Sequence, residues 1–250
     1  MILRILLYIV LGIIAFLFAF FFVFLLVLCI SYLLVSPKRF YQKNSKYYRF
    51  LLNFSTWIAI VFGRIHIHTT GLEKIPEGTR FVLVGNHQSK FDPILSWYIL
   101  RKKDIAFISK PENFKQPIFG RIIRKCCFLS IDRENPKKAM ETIKAASDLI
   151  KNDEVSIGVY PEGTRGNGDK LLPFHNGVFY VAKNAKCPIV VLAVRNTRNI
   201  AKNFPLRRTD VYFDVTDVLD VEYVSKNKTS VIGERVKEAL LLTEQADKTI

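Results

Sequence analysis

Residues 85–93 are Gly85-Asn86-His87-Gln88-Ser89-Lys90-Phe91-Asp92-Pro93, and they follow a short apolar run at residues 81–84. The run has the length and composition of a buried strand. Asp92 and Pro93 are typical of a helix start, because Asp suits the N-cap position and Pro the first helical position. The segment therefore predicts a strand-to-helix turn that carries a histidine and a carboxylate.

The spacing of His87 and Asp92 allows two interpretations. On a continuous helix, residues five apart point in different directions, whereas a turn can bring them together. Asp92 could then accept the proton on one imidazole nitrogen and leave the other nitrogen of His87 basic. The alternative is a capping aspartate next to an unrelated loop histidine, and this segment alone leaves both open.

The rest of the chain alternates between strand and helix patterns. Strands are predicted at residues 65–68, 81–84, 105–109, 127–131, 155–160, 188–194 and 211–215. Helices are predicted at residues 92–101, 113–125, 135–150, 174–185 and 231–242. Alternating elements with unbroken apolar strands are typical of a sheet covered on both faces. The predicted fold class is α/β, with a mostly parallel sheet flanked by helices and preceded by an N-terminal hydrophobic membrane helix.

The N-terminal segment predicts membrane insertion. Residues 5–35 contain no charged side chain, and a membrane span needs roughly 20 apolar residues. The run is too long for a signal-peptide core. Only Arg4 precedes it, whereas five cations follow it between Lys38 and Arg49. The positive-inside rule then places the C-terminal domain in the cytoplasm, at the cell inner membrane or its equivalent. Crossing the bilayer and bending within one leaflet both stay open.

A second apolar stretch, residues 50–62, is too short to span. It is either an interfacial or re-entrant helix with Trp57 as a headgroup-level anchor, or an ordinary core helix. We therefore divide the chain into membrane-anchoring helices at residues 1–64 and an α/β domain at residues 65–250. The motifs described below occupy residues 81–194 of that domain.

Composition limits the partners and the cofactors. Lys and Arg number 37 against 22 Asp and Glu, a net charge of +15. This excess suits anionic lipid or an acidic ligand, or is a solvated basic surface; no nucleic-acid recognition motif is present. Four cysteines show no paired spacing, and His66 and His68 lack a third ligand nearby, so neither a disulfide nor a metal site is predicted.

Polar clusters follow several of the predicted strands. These clusters are residues 86–92, Lys110, residues 132–133 and residues 162–165. If the strands are parallel, all of them meet at the carboxyl edge of the sheet, where ligands bind in such folds. A base beside several cations suggests deprotonation of a hydroxyl on a phosphorylated substrate. No nucleophile elbow, P-loop or Gly-x-Gly-x-x-Gly is present, which favours direct attack by that hydroxyl on an activated acceptor.

Four motifs resemble those of the glycerolipid acyltransferases, and most closely those of the membrane-bound 1-acyl-sn-glycerol-3-phosphate acyltransferases. The first is His87 and Asp92 separated by four residues. The others are Ser130-Ile131-Asp132-Arg133, Tyr160-Pro161-Glu162-Gly163-Thr164-Arg165 and Cys187-Pro188-Ile189-Val190. Their order and spacing behind an apolar N-terminus are specific to this family, although the first motif alone is not.

The resemblance implies roles for individual residues. His87 would be the general base on a glycerol hydroxyl, and Asp92 would hold it. Arg133, Arg165 and Lys110 would bind the substrate phosphate, and a further set would shape the same site: Glu162, Gly163 and Thr164. The strand after Pro188 would help to form the acyl-chain region.

The resemblance also implies the reaction. An acyl-CoA or acyl carrier protein thioester would donate a fatty acyl group to lysophosphatidic acid, giving phosphatidic acid for phospholipid biosynthesis without a metal or other cofactor. The alternatives are another acceptor, such as a lysophospholipid or glycerol 3-phosphate, or a non-catalytic membrane protein that binds anionic lipid. Structural roles stay open for Arg133, Arg165, Lys110 and Glu162, and we expect one for His175.

The chain departs from the family pattern at four positions. Tyr160 replaces the usual Phe, Gly166 a frequent Ser, Cys187 a Val, and Val191 a second Pro. None of these is a predicted base or cation. They therefore bear on the acyl-chain and acceptor preference rather than on the class of reaction.

Overall fold

The computed structural model describes residues 1–166 and 171–247, the last five of them by backbone alone. Its C-terminal domain is built on one β-sheet. Its strands are β1 (Ile65–Thr70), β2 (Val82–Gly85), β3 (Ile105–Ser109), β4 (Leu129–Ser130), β5 (Ser156–Val159), β6 (Ile189–Arg195) and β7 (Thr209–Leu219). The strand order is β1-β7-β6-β2-β5-β3-β4. Each predicted strand is present, with bounds that differ by a few residues.

Helices precede and flank this sheet. In the described residues they are α1 (Ile2–Leu33), α2 (Lys46–Phe62), α3 (Asp92–Ile99), α4 (Phe119–Ile122), α5 (Pro136–Lys151), α6 (Tyr180–Ala185), α7 (Asn199–Asn203), α8 (Val221–Lys226) and α9 (Thr229–Asp247). The predicted cap of α5 is confirmed, because the Asn135 side chain accepts a hydrogen bond from the amide of Lys138.

The sheet is mostly parallel, which confirms the predicted fold class. β6, β2, β5, β3 and β4 are parallel neighbours. β7 is antiparallel to β6, and β1 is parallel to β7. Consequently, β7 and β1 begin at the edge where β2 and β6 end. The connection between β6 and β7, residues 196–208, lies at that same edge.

The core lies on both faces of the sheet. Along β2, Val82 and Val84 pack into one cluster with α5, α6 and α9. The alternate residue Leu83 packs into the other cluster, with α2 and α3. Burial on both faces explains why the strand is a continuous apolar run instead of an alternating one.

Two predicted helices differ from the structure. The continuous helix at residues 113–125 is wrong, since the segment is a 3-10 turn (Pro111–Lys115), the short α4 and a second 3-10 turn (Ile123–Cys126). Pro117 explains the break, because the residue before a proline avoids the helical region and Gln116 is extended. Residues 174–185 begin as a 3-10 turn (Asn176–Phe179) before α6. The predicted continuation of the loop through residues 167–169 lies outside the described residues.

α1 is long and apolar enough to cross a membrane, and it is the one such helix among the described residues. Only its C-terminal part packs on the rest of the chain. Phe24 makes an edge-to-face contact with Phe54 of α2, with ring centroids 4.9 Å apart. Ser31 lies 2.7 Å from the hydroxyl of Tyr47. The two helices therefore lie side by side in antiparallel directions.

α2 has one face typical of a core helix and one face typical of an interfacial helix. One face packs on the domain through buried residues that include Leu51 and Thr56. The other face leaves Phe50, Trp57 and Phe62 exposed. The core interpretation therefore holds for one face, and the opposite face has the apolar surface expected of an interfacial helix.

The buried guanidinium of Arg49 attaches α2 to the sheet. It donates to the carbonyls of Ile105 (2.9 Å) and Asp104 (3.1 Å), and it lies 3.2 Å from the Asp104 carboxylate. Its other side covers the Trp97 ring, 4.5 Å from the centroid. Desolvation by burial lowers the pKa of Arg49, and the nearby Asp104 carboxylate opposes that shift.

We expect Arg49→Ala to lower the free energy of unfolding by about 2–4 kcal/mol, because it leaves buried carbonyls without donors and removes packing over Trp97. Thermal unfolding of the detergent-solubilised protein measures this. Arg101→Ala is the matched control: Arg101 lies over the Tyr98 ring at an exposed position, so its change should stay within about 0.5 kcal/mol. Equal effects of the two variants would contradict the attachment role of Arg49.

Candidate active site

The carboxylate of Asp92 is fully buried at the start of α3 and is the centre of a dense hydrogen-bond network. Its Oδ2 accepts from His87 Nδ1 (2.9 Å) and from the amides of Gln88 (2.6 Å) and Ser89 (2.7 Å). Its Oδ1 accepts from the hydroxyl of Thr197. These donors compensate for burying a charge. The predicted pairing of His87 and Asp92 is therefore present, and Asp92 also begins the helix.

His87 lies in the loop after β2 with its ring fixed on two sides. The contact with Asp92 occupies Nδ1, which favours the tautomer that leaves Nε2 free to accept a proton. The ring stacks on Tyr160 with centroids 4.6 Å apart and an angle of 21°. Tyr160 in turn stacks on Phe107 at 5.7 Å. The imidazole is held in one orientation by a carboxylate at its edge and an aromatic ring on its face.

Tyr160 occupies the position at which a phenylalanine is usual, and its hydroxyl lies 3.3 Å from the Ser96 hydroxyl. Burial raises the pKa of Tyr160 well above its ordinary value, and the neighbouring charge of Asp92 adds to the increase. The phenol therefore stays neutral beside the carboxylate, and the substitution preserves the aromatic face against His87.

Two buried side chains fix the loops around His87. Asn86 bridges to β6: its amide donates to the carbonyl of Val194 (2.9 Å) and accepts from the amide of the same residue (2.7 Å). Glu162 accepts from the amide of His87 (2.6 Å) through one oxygen and from the amide of Leu172 (2.9 Å) through the other. Both oxygens of Glu162 thus bind backbone amides, so this carboxylate organises the loops.

A cleft of about 110 Å³ opens beside His87 at the carboxyl edge of the sheet. Six of the residues singled out from the sequence line it: His87, Lys110, Arg133, Gly163, Thr164 and Arg165. The other two, Asp92 and Glu162, are hydrogen-bonded to His87 from behind. The convergence expected from parallel strands is therefore present, and the cleft combines one free imidazole nitrogen with three cationic side chains.

Arg133 and Gly163 form one corner of the cleft. Arg133 Nη1 donates to the carbonyl of Gly163. Partial burial lowers the pKa of Arg133, opposed by the charge of Glu112. Gly163 has a φ of +71°, and a Cβ there would lie 2.9 Å from the His175 ring and 3.1 Å from Arg133 Nη1. A glycine is needed both for the backbone conformation and for the close approach of these side chains.

An apolar cavity of about 160 Å³ adjoins the cleft and shares four lining residues with it: Ile108, Arg133, Tyr160 and Gly163. Its apolar lining comes from β3, β5, α5 and the segments next to them. His175, for which we expected a structural role, also lines it. Residues 189–194 of β6, in contrast, are packed in the core and line neither cavity.

The remaining histidines and cysteines lie away from the cleft. His68 lies 2.8 Å from Asp210 on the β1 side of the sheet, where hydrogen bonds from Arg208 and His68 lower the pKa of Asp210 to about 2. Burial raises the pKa of Cys126, Cys127 and Cys187 to about 12, so these free thiols stay protonated. Within the described ranges, no group of three potential ligands could hold a metal ion.

Thr197 is the residue of this site that sequence reasoning missed. It lies 105 positions after Asp92, in the connection between β6 and β7, and is fully buried. No motif marks it. Finding Thr197 from the sequence would require knowing that β7 is antiparallel to β6. Because of that pairing, the connection between the two strands lies at the edge of the sheet where β2 ends.

Fold and cleft together define the class: an α/β protein with a histidine–aspartate pair in a cation-lined cleft at the carboxyl edge of its sheet. The chain belongs to the acyltransferase family, since the family model described as Acyltransferase matches residues 66–195. The matched range covers the His87 turn, the three cations and the Pro188 motif. The resemblance inferred from the four motifs is confirmed.

Individual relatives carry a consistent name. The chain is 31% identical over 180 residues to the 1-acyl-sn-glycerol-3-phosphate acyltransferase of Haemophilus influenzae, covering 68% of this chain and 73% of that protein. It is 31% identical over 147 residues to the Escherichia coli protein of the same name, covering 59% and 60%. The solved 1-acyl-sn-glycerophosphate (LPA) acyltransferase of Thermotoga maritima matches with a TM-score of 0.63 at 24% identity, over 79% and 81% of the chains, which shows a shared fold.

We expect Thr197→Val to lower the free energy of unfolding by about 1–3 kcal/mol, because it leaves one oxygen of the buried Asp92 carboxylate with a weaker set of donors. Thr197→Ser keeps the hydroxyl and should restore most of that loss. Thermal unfolding compares both variants with the parent protein. If the Val and Ser variants are equally stable, the hydrogen bond to Asp92 contributes little.

Proposed function

We propose that this protein transfers a fatty acyl group from an acyl thioester to the free hydroxyl of 1-acyl-glycerol-3-phosphate, giving phosphatidic acid. The observation that carries the proposal is the cleft that His87 lines together with Lys110, Arg133 and Arg165, while Nδ1 of His87 is occupied by Asp92. A lysophosphatidic acid presents a hydroxyl and a phosphate on one glycerol unit, so it matches a base and cations in one cleft. The names of the relatives support this choice.

The reaction begins with a proton transfer. His87 Nε2 accepts the hydroxyl proton as the glycerol oxygen attacks the thioester carbonyl, and Asp92 stabilises the imidazolium that forms. The carbon–sulfur bond then breaks, the ester remains on the glycerol, and the thiolate leaves with the proton from His87. A thioester is already activated, so positioning and general base catalysis account for the chemistry without a covalent enzyme intermediate.

The three cations bind the phosphate. Arg165 and Arg133 offer planar guanidinium groups suited to two simultaneous hydrogen bonds, and Lys110 adds a compact charge. Gly163 lets Arg133 approach the loop backbone, and Thr164 lines the same space. Glu162 positions this loop relative to His87 through its two backbone contacts.

Two further features support parts of the proposal, the acyl-chain site and the orientation in the membrane. The adjoining apolar cavity is suited to an acyl chain, since its lining is mostly aliphatic. Either an acyl-CoA or an acyl carrier protein supplies the thioester, and a donor panel distinguishes them. Five cations between Lys38 and Arg49 follow α1 and favour a catalytic domain that faces the cytoplasm.

We expect His87→Ala to lower the rate of acyl transfer to lysophosphatidate by about 10²–10⁴-fold, because the general base is lost. The assay uses detergent-solubilised protein, lysophosphatidate and an acyl thioester, with release of free thiol as the readout. His66→Ala, at an exposed position in β1, is the matched control and should retain full activity. Normal turnover by a folded His87→Ala variant would refute the mechanism.

Arg165→Ala tests the acceptor. We expect it to lower kcat/KM for lysophosphatidate by about 10–100-fold through the loss of a charge-assisted phosphate contact. Monoacylglycerol, which has no phosphate, should be used equally poorly by the variant and the parent. Lys102→Ala, an exposed cation before β3 at the opposite edge, provides the control. If Arg165→Ala leaves lysophosphatidate turnover intact, Arg165 does not bind the acceptor phosphate and this part of the proposal is wrong.

A further inference from the structure

The connection between β6 and β7 ends in an exposed apolar tip. Leu206 is 81% exposed and Phe204 is 56% exposed, with Pro205 between them. A single exposed apolar side chain needs no explanation, but several neighbouring ones mark an interaction surface.

This tip lies against the end of α2. Arg64 Nη1 donates to the carbonyl of Leu206 (2.9 Å), and the Arg64 carbonyl accepts from the amide of Thr209 (3.1 Å). Arg64 comes two residues after the end of α2, where Val61 and Phe62 are also exposed. Two segments distant in sequence thus form one apolar surface, which we name the corner patch: Val61, Phe62, Phe204 and Leu206.

The corner patch continues an apolar surface that begins at the N-terminus. Along α2 it is followed by Trp57 and then by Phe54, whose rings stack 5.6 Å apart. Phe54 contacts Phe20 and Phe24 of α1. The patch therefore adjoins the apolar surface that α2 forms with α1, the helix suited to a membrane.

Exposed cations surround the tip: Arg64, Lys202, Arg207 and Arg208. Of these, Arg208 is paired with Asp210 at 2.6 Å. Apolar side chains bordered by Arg and Lys are typical of segments that rest in the headgroup region of a bilayer with anionic lipids. A second copy of the chain fits less well, since four apolar side chains fall short of the roughly 800 Å² per partner that a stable interface buries.

The position of the patch gives it a consequence for the site. β6 ends and β7 begins at the edge where β2 delivers His87, as the pairing of Arg195 with Tyr212 shows. Within the same connection, Thr197 donates to Asp92. A membrane contact at the tip would keep the edge that carries the cleft at the bilayer surface.

We propose that the corner patch inserts into the interfacial region of the bilayer that holds α1, and is a second membrane contact contributed by the β6–β7 connection. The proposal rests on the membrane association of the chain and does not depend on the acyl-transfer reaction. It extends membrane binding beyond the N-terminal helices to the domain itself.

The test places an indole at the tip of the full-length protein. Leu206→Trp is made in a Trp57→Phe background, so that the buried Trp97, 2% exposed, is the remaining native indole. The protein is reconstituted into vesicles of phosphatidylcholine and phosphatidylglycerol, with and without bromine on the acyl chains near the headgroups. Val221→Trp in the same background is the control, because Val221 is an exposed apolar residue just after β7 at the opposite edge.

We expect brominated lipid to quench the new indole at position 206 about twofold or more, and the one at position 221 hardly at all. Phe204→Trp provides a second variant and should behave like Leu206→Trp. Equal quenching at positions 206 and 221 would overturn the proposal. A blue-shifted emission without quenching would also overturn it, because a protein surface would then cover the patch. Quenching of native Trp57 in the parent verifies membrane binding, and no step requires catalysis.

Discussion

The burial of one carboxylate constrains the site more than any other single feature. Asp92 is cut off from solvent, so its charge must be compensated by donors within the protein. Two backbone amides, one imidazole nitrogen and one hydroxyl supply them. The loop after β2 must therefore fold back on its own helix, and the β6–β7 connection must reach the start of α3. A requirement for electrostatic compensation thereby fixes the direction of the His87 ring.

The sheet topology brings these donors together. Five parallel strands deliver polar loops to one edge, and the reversal at β7 returns a further segment to the same edge. α2 carries the apolar surface of the N-terminal region onto this domain, and the buried Arg49 attaches it. The apolar surface of α2 and the candidate site therefore belong to one packed structure.

Much of this arrangement could be predicted from the sequence. Unbroken apolar runs indicated the strands, and polar clusters after them indicated the edge at which the cleft lies. The pairing of His87 with Asp92 followed once the turn was recognised. Two predictions failed for different reasons. Periodicity alone extends a helix through Pro117, which interrupts it locally, whereas Thr197 contacts Asp92 only because an antiparallel strand follows. The two-faced character of α2 likewise depends on what packs against each face, which periodicity does not report.

The two carboxylates behind the cleft also affect its charge balance. Lys110, Arg133 and Arg165 repel one another across the cleft, whereas Asp92 and Glu162, which both accept hydrogen bonds from His87, supply negative charge beside it. An anionic ligand in the cleft would reduce this repulsion, so the electrostatics of the cleft favour a ligand that carries negative charge.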